Sequence, residues 1–186
     1  MTPAIDQVAH KYRALNCNSI AAGLADLLSQ AEANEISYLA FADQLVEHEQ
    51  QRRNRKRIEL NRRKASFPVT KRLAEFDYRH QTTITKRQVN QLLDFHFLDE
   101  RANVVFIGPP GVGKTHLAIG IGHQAIAAGY KVLFSTALAL VETLELAELK
   151  GELKKKISSL LKFDLLIIDE LGYLPMNKQG VYNLFQ

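Results

Sequence analysis

The chain has 186 residues, of which 46% are hydrophobic, with 24 Lys and Arg against 20 Asp and Glu. This length and apolar fraction suit one packed domain, or one and a half, and exclude a disordered chain. No apolar run is long enough to cross a membrane, residues 1–14 lack the apolar centre of a secretory signal, and the single Cys17 cannot build a disulfide framework. A soluble cytoplasmic protein with no membrane partner is expected.

The net charge of +4 hides an uneven distribution. Residues 1–50 hold 2 basic and 7 acidic side chains, residues 51–87 hold 13 and 3, and residues 88–186 hold 9 and 10. One basic block between acidic and near-neutral parts implies a polyanionic partner at one place.

In chain order, residues 18–50 are expected to be helical. Ser19 stands as a candidate cap before Ile20, Leu24, Leu27 and Leu28, which share one helical face. A polar break at 32–35 precedes a second apolar series, Ile36, Leu39, Ala40, Leu45 and Val46. Between Pro3 and Pro68 there is no proline and only one glycine, Gly23, so residues 1–67 are expected to form a helical N-terminal domain. Its last helix is the basic block: Arg52, Arg53, Arg55, Lys56, Arg57, Arg62, Arg63 and Lys64, with Glu59 the one acid among them. The charges cover most of the circumference, and Ile58 and Leu60 give little apolar face. Phosphate contact with DNA is the expected role, through the backbone and with little sequence preference. The alternative is a solvated helix, or one that pairs with the acidic segment 1–50. Pro68 should end the helix.

Residues 68–100 are expected to be a connector and an entry helix. The connector carries Phe76 and Tyr78, which either border a nucleotide base or simply pack. The entry helix is expected over 88–100, through Val89, Leu92, Leu93, Phe95 and Leu98. From 101 to 186 the pattern changes. Apolar strands are expected at 102–107, 131–135 and 165–168, the last buried on both faces. They are separated by helices at 116–128, which Gly129 should end, and at 138–161, with a break at Gly151. This alternation predicts a parallel α/β sheet.

Between the first strand and its helix lies Gly108-Pro109-Pro110-Gly111-Val112-Gly113-Lys114-Thr115, which matches G-x-x-x-x-G-K-[ST]. Glycines let backbone N–H groups close around phosphate, and the following helix turns its N-terminal dipole to the same anion. Lys114 supplies charge to the β- and γ-phosphates, and the Thr115 hydroxyl suits Mg2+. His116 follows directly and joins the candidate nucleotide-binding residues 108–116. The bland alternative is a Gly-Pro turn. A second motif, Leu165-Leu166-Ile167-Ile168-Asp169-Glu170, delivers two carboxylates at a strand end, where parallel sheets bind ligands. Asp169 is expected to hold Mg2+ with Thr115. Glu170 is expected to polarise the attacking water, which makes Lys114 and Glu170 the catalytic pair and ATP hydrolysis the reaction. A solvated acidic turn is the alternative for this motif taken alone.

The stretches GPPGVGKTHLA at 108–118 and DLLIIDELGYLP at 164–175, with the arginine-rich 47–68 and FDY at 76–78, resemble the IstB-like helper ATPases of insertion-sequence transposition. These are AAA+ proteins related to DnaC-type helicase loaders. The resemblance implies a three-layer P-loop NTPase sheet after a helical N-terminal domain, with ATP and Mg2+ held by Gly108 to Thr115, Asp169 and Glu170. It also implies a homo-oligomer on target DNA that cooperates with a transposase. A helicase loader shares the same core and is the alternative. An AAA+ sheet has five strands, and only three are legible. The ATP-binding domain over 101–186 is therefore expected to be incomplete at the C-terminus, with a helix starting after Asn177. The polar sensor and arginine finger would lie beyond residue 186. A chain that binds ATP or DNA without turnover is the corresponding alternative.

Overall fold

A computed structural model describes residues 3–79 and 83–173. It divides into two units, Met1–Arg57 and Ile58–Gln186. Among the described residues no helix is long and apolar enough to cross a membrane.

The first unit is built from α1 (Pro3–Ala14), α2 (Asn18–Ala33) and α3 (Tyr38–Lys64), the last continuing into the second unit. Its core joins Ala9 to Ile20, Ala21, Leu24, Leu27 and Leu45, the stripe that the apolar spacing of α2 anticipates. Cys17 packs against the same core as a small apolar residue. Helix α1 is less apolar on average than α2, although its apolar side chains gather on one face. It buries Ala9 completely and places Asp6 in its first turn and Lys11 and Arg13 in its last, as the helix dipole favours. The polar break is real: Glu35 adopts φ 48, and the Ser37 hydroxyl accepts from the Ala40 N–H at 3.2 Å to start α3.

One cap differs from expectation. Ser19 lies inside α2, and its side chain does not cap the helix. Glu49 of α3 reaches over instead and accepts from the backbone N–H groups of Ser19 and Ile20, at 2.9 and 3.1 Å. Two otherwise orphaned donors of α2 are thereby satisfied from another helix. Gly23 permits the approach, since a Cβ there would stand 3.2 Å from His48 Nε2.

The basic block is helical throughout and belongs to α3. Ile58, Asn61 and Ala65 recur at helical spacing and turn inward, and Ser66 at φ 57 stops the helix. Packing moves the expected boundary at residue 67, because Ile58, Ala65 and Phe67 all join the second unit's core.

In the second unit the expected helix over 88–100 is broken. It forms α4 (Lys86–Gln91), a 3-10 turn at 92–94 and α5 (His96–Asp99), with Phe95 left-handed at φ 59. That kink accompanies burial of Phe95, while Leu92, Leu93 and Phe97 pack on the same core. Then come α6 (Lys114–Ala128), β1 (Val132–Thr136), α7 (Ala137–Leu149), α8 (Leu153–Leu160) and β2 (Leu165–Asp169). Gly129 ends α6 at φ 104, and Gly151 separates α7 from α8 at φ 69. Strands β1 and β2 pair in parallel, from Val132↔Leu165 to Thr136↔Asp169, with α7 and α8 as the crossover.

Two expectations are corrected here. The run 102–107 is not a strand: Val105 is 69% exposed and Ile107 91%. A strand persists only where a neighbour takes its backbone hydrogen bonds, and the sheet of described residues has the two strands β1 and β2 rather than three. Nor is β2 buried on both faces, since the side chains that alternate along it are unequally covered. Ile167 is 9% exposed, but its neighbour Leu166 is 39% exposed. The helix expected after Asn177 lies outside the described residues.

Candidate nucleotide site

The glycine-rich loop enters α6 through two left-handed positions, Gly111 at φ 84 and Gly113 at φ 90. Only glycine adopts these without strain. Gly113 is constrained twice, because a Cβ there would lie 2.6 Å from Phe76 Cε2. Lys114 folds back over the loop, and its Nζ donates to the carbonyls of Gly108 and Pro109, both at 2.8 Å. The ammonium therefore sits above the loop, within reach of any anion that the loop's N–H groups collect.

Thr115 and Asp169 are 54 positions apart, yet the Thr115 hydroxyl stands 2.9 and 3.1 Å from the two Asp169 carboxylate oxygens. The packing of α6 on the sheet creates this junction. Gly122 leaves room for Ile167, whose Cδ1 would lie 2.8 Å from a Cβ at that position. The close approach brings the start of α6 to the C-terminal end of β2. Both groups offer hard oxygens. The spacing is that of a hydrogen bond donated by the hydroxyl, and oxygens of this kind are the ligands that Mg2+ takes. Glu170 follows β2 as an exposed residue at φ 61. A non-glycine residue held there costs about 1–2 kcal/mol.

Phe76 packs under the loop rather than in an open cleft. It is 9% exposed and meets Tyr78 edge-on at 4.8 Å and His116 at 5.4 Å. Of the two readings of this aromatic pair, packing describes its surroundings, and burial pushes the Tyr78 pKa up. The His116 ring is also engaged, with its Nε2 2.8 Å from the Arg72 carbonyl. Sequence reasoning missed how the connector is seated. Leu73 fits against Gly120 and Phe67 against Gly122, where added Cβ atoms would clash at 2.5 and 2.7 Å. The signal was present as two closely spaced glycines inside an otherwise apolar helix. Beneath Phe67, burial first and then the charges of Arg62 and Arg72 push the His123 pKa down.

All eight basic residues of α3 are exposed, but they are not equivalent. Arg53 donates to Glu49 at 2.8 Å and to the Asn16 carbonyl at 2.9 Å. Arg63 is hydrogen-bonded to Glu59, and Arg57 to Asn54. Arg52, Arg55, Lys56, Arg62 and Lys64 make no ion pair among the described residues. The charges also divide: Arg52, Arg53, Arg55, Lys56 and Arg57 belong to the first unit, and Arg62, Arg63 and Lys64 to the second. Burial opposes charge on Glu49. The hydrogen bonds from Arg53 and from the Ile20 and Ser19 N–H groups outweigh it, so the carboxyl pKa falls below its ordinary value.

A parallel strand pair, a crossover, and a glycine loop leading into a helix beside a strand-end carboxylate define an α/β domain of the phosphate-loop class. Comparison with known proteins makes this more particular. The chain belongs to the family described as IstB-like ATP binding protein, whose model matches residues 10–186. A Geobacillus stearothermophilus protein, named for insertion sequence IS5376 and for ATP binding, is 40% identical over 84% of this chain and 62% of its own length. A Pseudomonas aeruginosa protein named in the same way for IS21 is 37% identical over 86% of this chain and 60% of its own. A third, from Bacillus thuringiensis subsp. berliner and named for IS232, is 32% identical over 100% of this chain and 74% of its own. The chain thus spans about six-tenths of the length of the first two relatives.

Proposed function

We propose that this protein is an ATP-hydrolysing, DNA-binding helper of insertion-sequence transposition that works on target DNA with a transposase. The observation that carries the ATP site is the contact between Thr115 and Asp169, with Lys114 closing the loop on the other side. Within the candidate segment 108–116, the backbone N–H groups of Gly108 and of residues 111–116 hold the phosphates, while Pro109 and Pro110, which carry no N–H, fix the turn. His116, whose ring is engaged by the connector, contributes through its N–H. Lys114 exchanges the Gly108 and Pro109 carbonyls for the β- and γ-phosphates. Thr115 and Asp169 would hold Mg2+, and the chemistry it would supply there is charge neutralisation at the phosphate oxygens. Glu170 orients and polarises the attacking water.

DNA binding rests on the exposed cations of α3, foremost Arg52, Arg55, Lys56, Arg62 and Lys64, which no carboxylate among the described residues engages. The names of the relatives support a place in insertion-sequence movement, with which a transposase partner is consistent; assembly of several copies on DNA is part of the proposal.

Steady-state ATP hydrolysis with and without duplex DNA tests the reading. Turnover that depends on Mg2+ and rises with DNA is expected. ATP binding without turnover in either condition would remove Glu170 and the hydrolytic step from it. Replacing Arg52, Arg55 and Lys56 with Ala should reduce the magnitude of the salt slope of DNA binding by about one unit for each phosphate no longer neutralised. An unchanged slope would move the DNA site elsewhere.

A further inference from the structure

A cleft of about 310 Å³ opens beside the loop, and its use is not explained by phosphate binding. Lys114 lies at its wall, and Ile84, Val112 and Leu117 give it apolar faces. Its volume is at the lower end of the range for small-molecule sites, about 300–1,000 Å³. Flat apolar walls next to a phosphate-collecting loop suit the ring of a nucleobase whose phosphates lie on the loop.

One polar wall residue, Gln88, is chemically committed. It is the third residue of α4, and it forms a reciprocal cap with Thr85. Its Oε1 accepts from the Thr85 backbone N–H at 2.8 Å and from the Thr85 hydroxyl at 2.9 Å, while the Gln88 backbone N–H donates back to Thr85 Oγ1 at 3.3 Å. A backbone N–H needs an acceptor, so the amide oxygen must face Thr85. Both oxygen lone pairs are then used. The hydrogen-bonding group that the Gln88 side chain has left is its NH2, which can only donate.

We propose that Gln88 is a base-reading residue: its amide NH2 donates to an unprotonated ring nitrogen of the purine held between Ile84, Val112 and Leu117. The proposal rests on the reading of residues 108–115 as the phosphate loop of a nucleotide site. The capping box does more than start a short helix. It commits the amide oxygen to Thr85, so the group that Gln88 has left to offer a ligand in the cleft is a donor. A base with a hydrogen at the facing position, or with carbon in place of nitrogen, is disfavoured.

The test measures dissociation constants of the full chain for ATP, its 1-deaza, 3-deaza and 7-deaza analogues, and inorganic tripolyphosphate. Wild type should bind ATP and lose about tenfold with one deaza analogue, the size expected for one hydrogen bond whose partner is left unpaired. Gln88→Met should weaken ATP about tenfold and no longer distinguish that analogue, with tripolyphosphate affinity unchanged. Gln88→Glu keeps the acceptor that caps Thr85 and lacks the donor, so it should weaken ATP while its melting temperature holds. Equal binding of all deaza analogues by wild type overturns the proposal. So does a Gln88→Met variant that keeps the discrimination, or one that loses tripolyphosphate as much as ATP. ATP binding insensitive to Gln88 overturns this inference alone, whereas a wild type that binds neither ATP nor tripolyphosphate overturns the phosphate-loop reading beneath it.

Discussion

Glu49 and Asp169 are both reached across long stretches of chain, and they are satisfied very differently. Glu49, in the first unit, accepts from two backbone N–H groups and from the Arg53 guanidinium. It is 8% exposed, and it ties α3 to the start of α2. Asp169, in the second unit, meets the Thr115 hydroxyl and no other side chain among the described residues, and sits at the C-terminal end of β2. A carboxylate whose lone pairs are filled by fixed donors is a structural joint. One that shares a single hydroxyl beside a phosphate loop keeps capacity for a ligand. Charge and residue type are the same in kind, and the donor set separates the roles.

The largest expected effect lies on the open carboxylate. Lys114→Ala and Asp169→Asn should each weaken Mg-ATP binding by about ten- to a hundredfold, the range for hydrogen bonds to charged groups. Titration with a fluorescent ATP analogue checks this. The unfolding midpoint of the first unit, followed by helical circular dichroism, should not move. If Asp169→Asn instead unfolds the protein without touching nucleotide affinity, the contrast with Glu49 collapses.

The next effect is on the closed carboxylate. Glu49→Ala should destabilise the first unit by about 1–3 kcal/mol, because the Ser19 and Ile20 N–H groups lose their acceptor. Urea unfolding reads this, and ATP affinity should be unchanged. The same residue sets a pH dependence. Its folded pKa lies below the unfolded value, so its contribution is complete above the unfolded carboxylate range, near about 4.3, and is lost as pH falls through the folded pKa. Glu49→Gln should flatten the acid limb of the stability curve. An acid limb identical to wild type would show that the cap carries no linkage.

The smallest effect on stability sits one residue beyond Asp169, at the residue proposed to polarise the water. Glu170→Gly should raise thermal stability by about 1 kcal/mol by relieving its positive φ, while abolishing turnover. Glu170→Gln should abolish turnover with no such gain. Equal melting temperatures for the two variants would mean that the left-handed backbone at 170 is not strained.

Much of the candidate site was legible because it is local. The loop from Gly108 to Thr115 is contiguous, its φ values demand glycine, and α6 follows at once. The basic stretch was legible as a helix for a similar reason, since eight cations and no breaker leave few alternatives. Its inward stripe of Ile58, Asn61 and Ala65 was obscured by the charges around it. The breaks at Glu35, Gly129 and Gly151 were also readable from residue type. Phe95 was not: no local rule places an aromatic residue in the left-handed region, and only the core it enters explains it.

The amino-acid sequence alone determined the chemistry on offer: a phosphate loop, a strand ending in two acids, a basic helix, and helices and strands alternating around them. These depend on backbone propensity, spacing and charge, which act over a few residues. Tertiary structure decided everything that depends on distance through space. It brought Thr115 to Asp169, replaced the expected Ser19 cap with Glu49, took Arg53 out of the free cations, and left the apolar run 102–107 without a strand partner. Each is a question of which group satisfies another's hydrogen bonds, and that is settled only when distant segments pack.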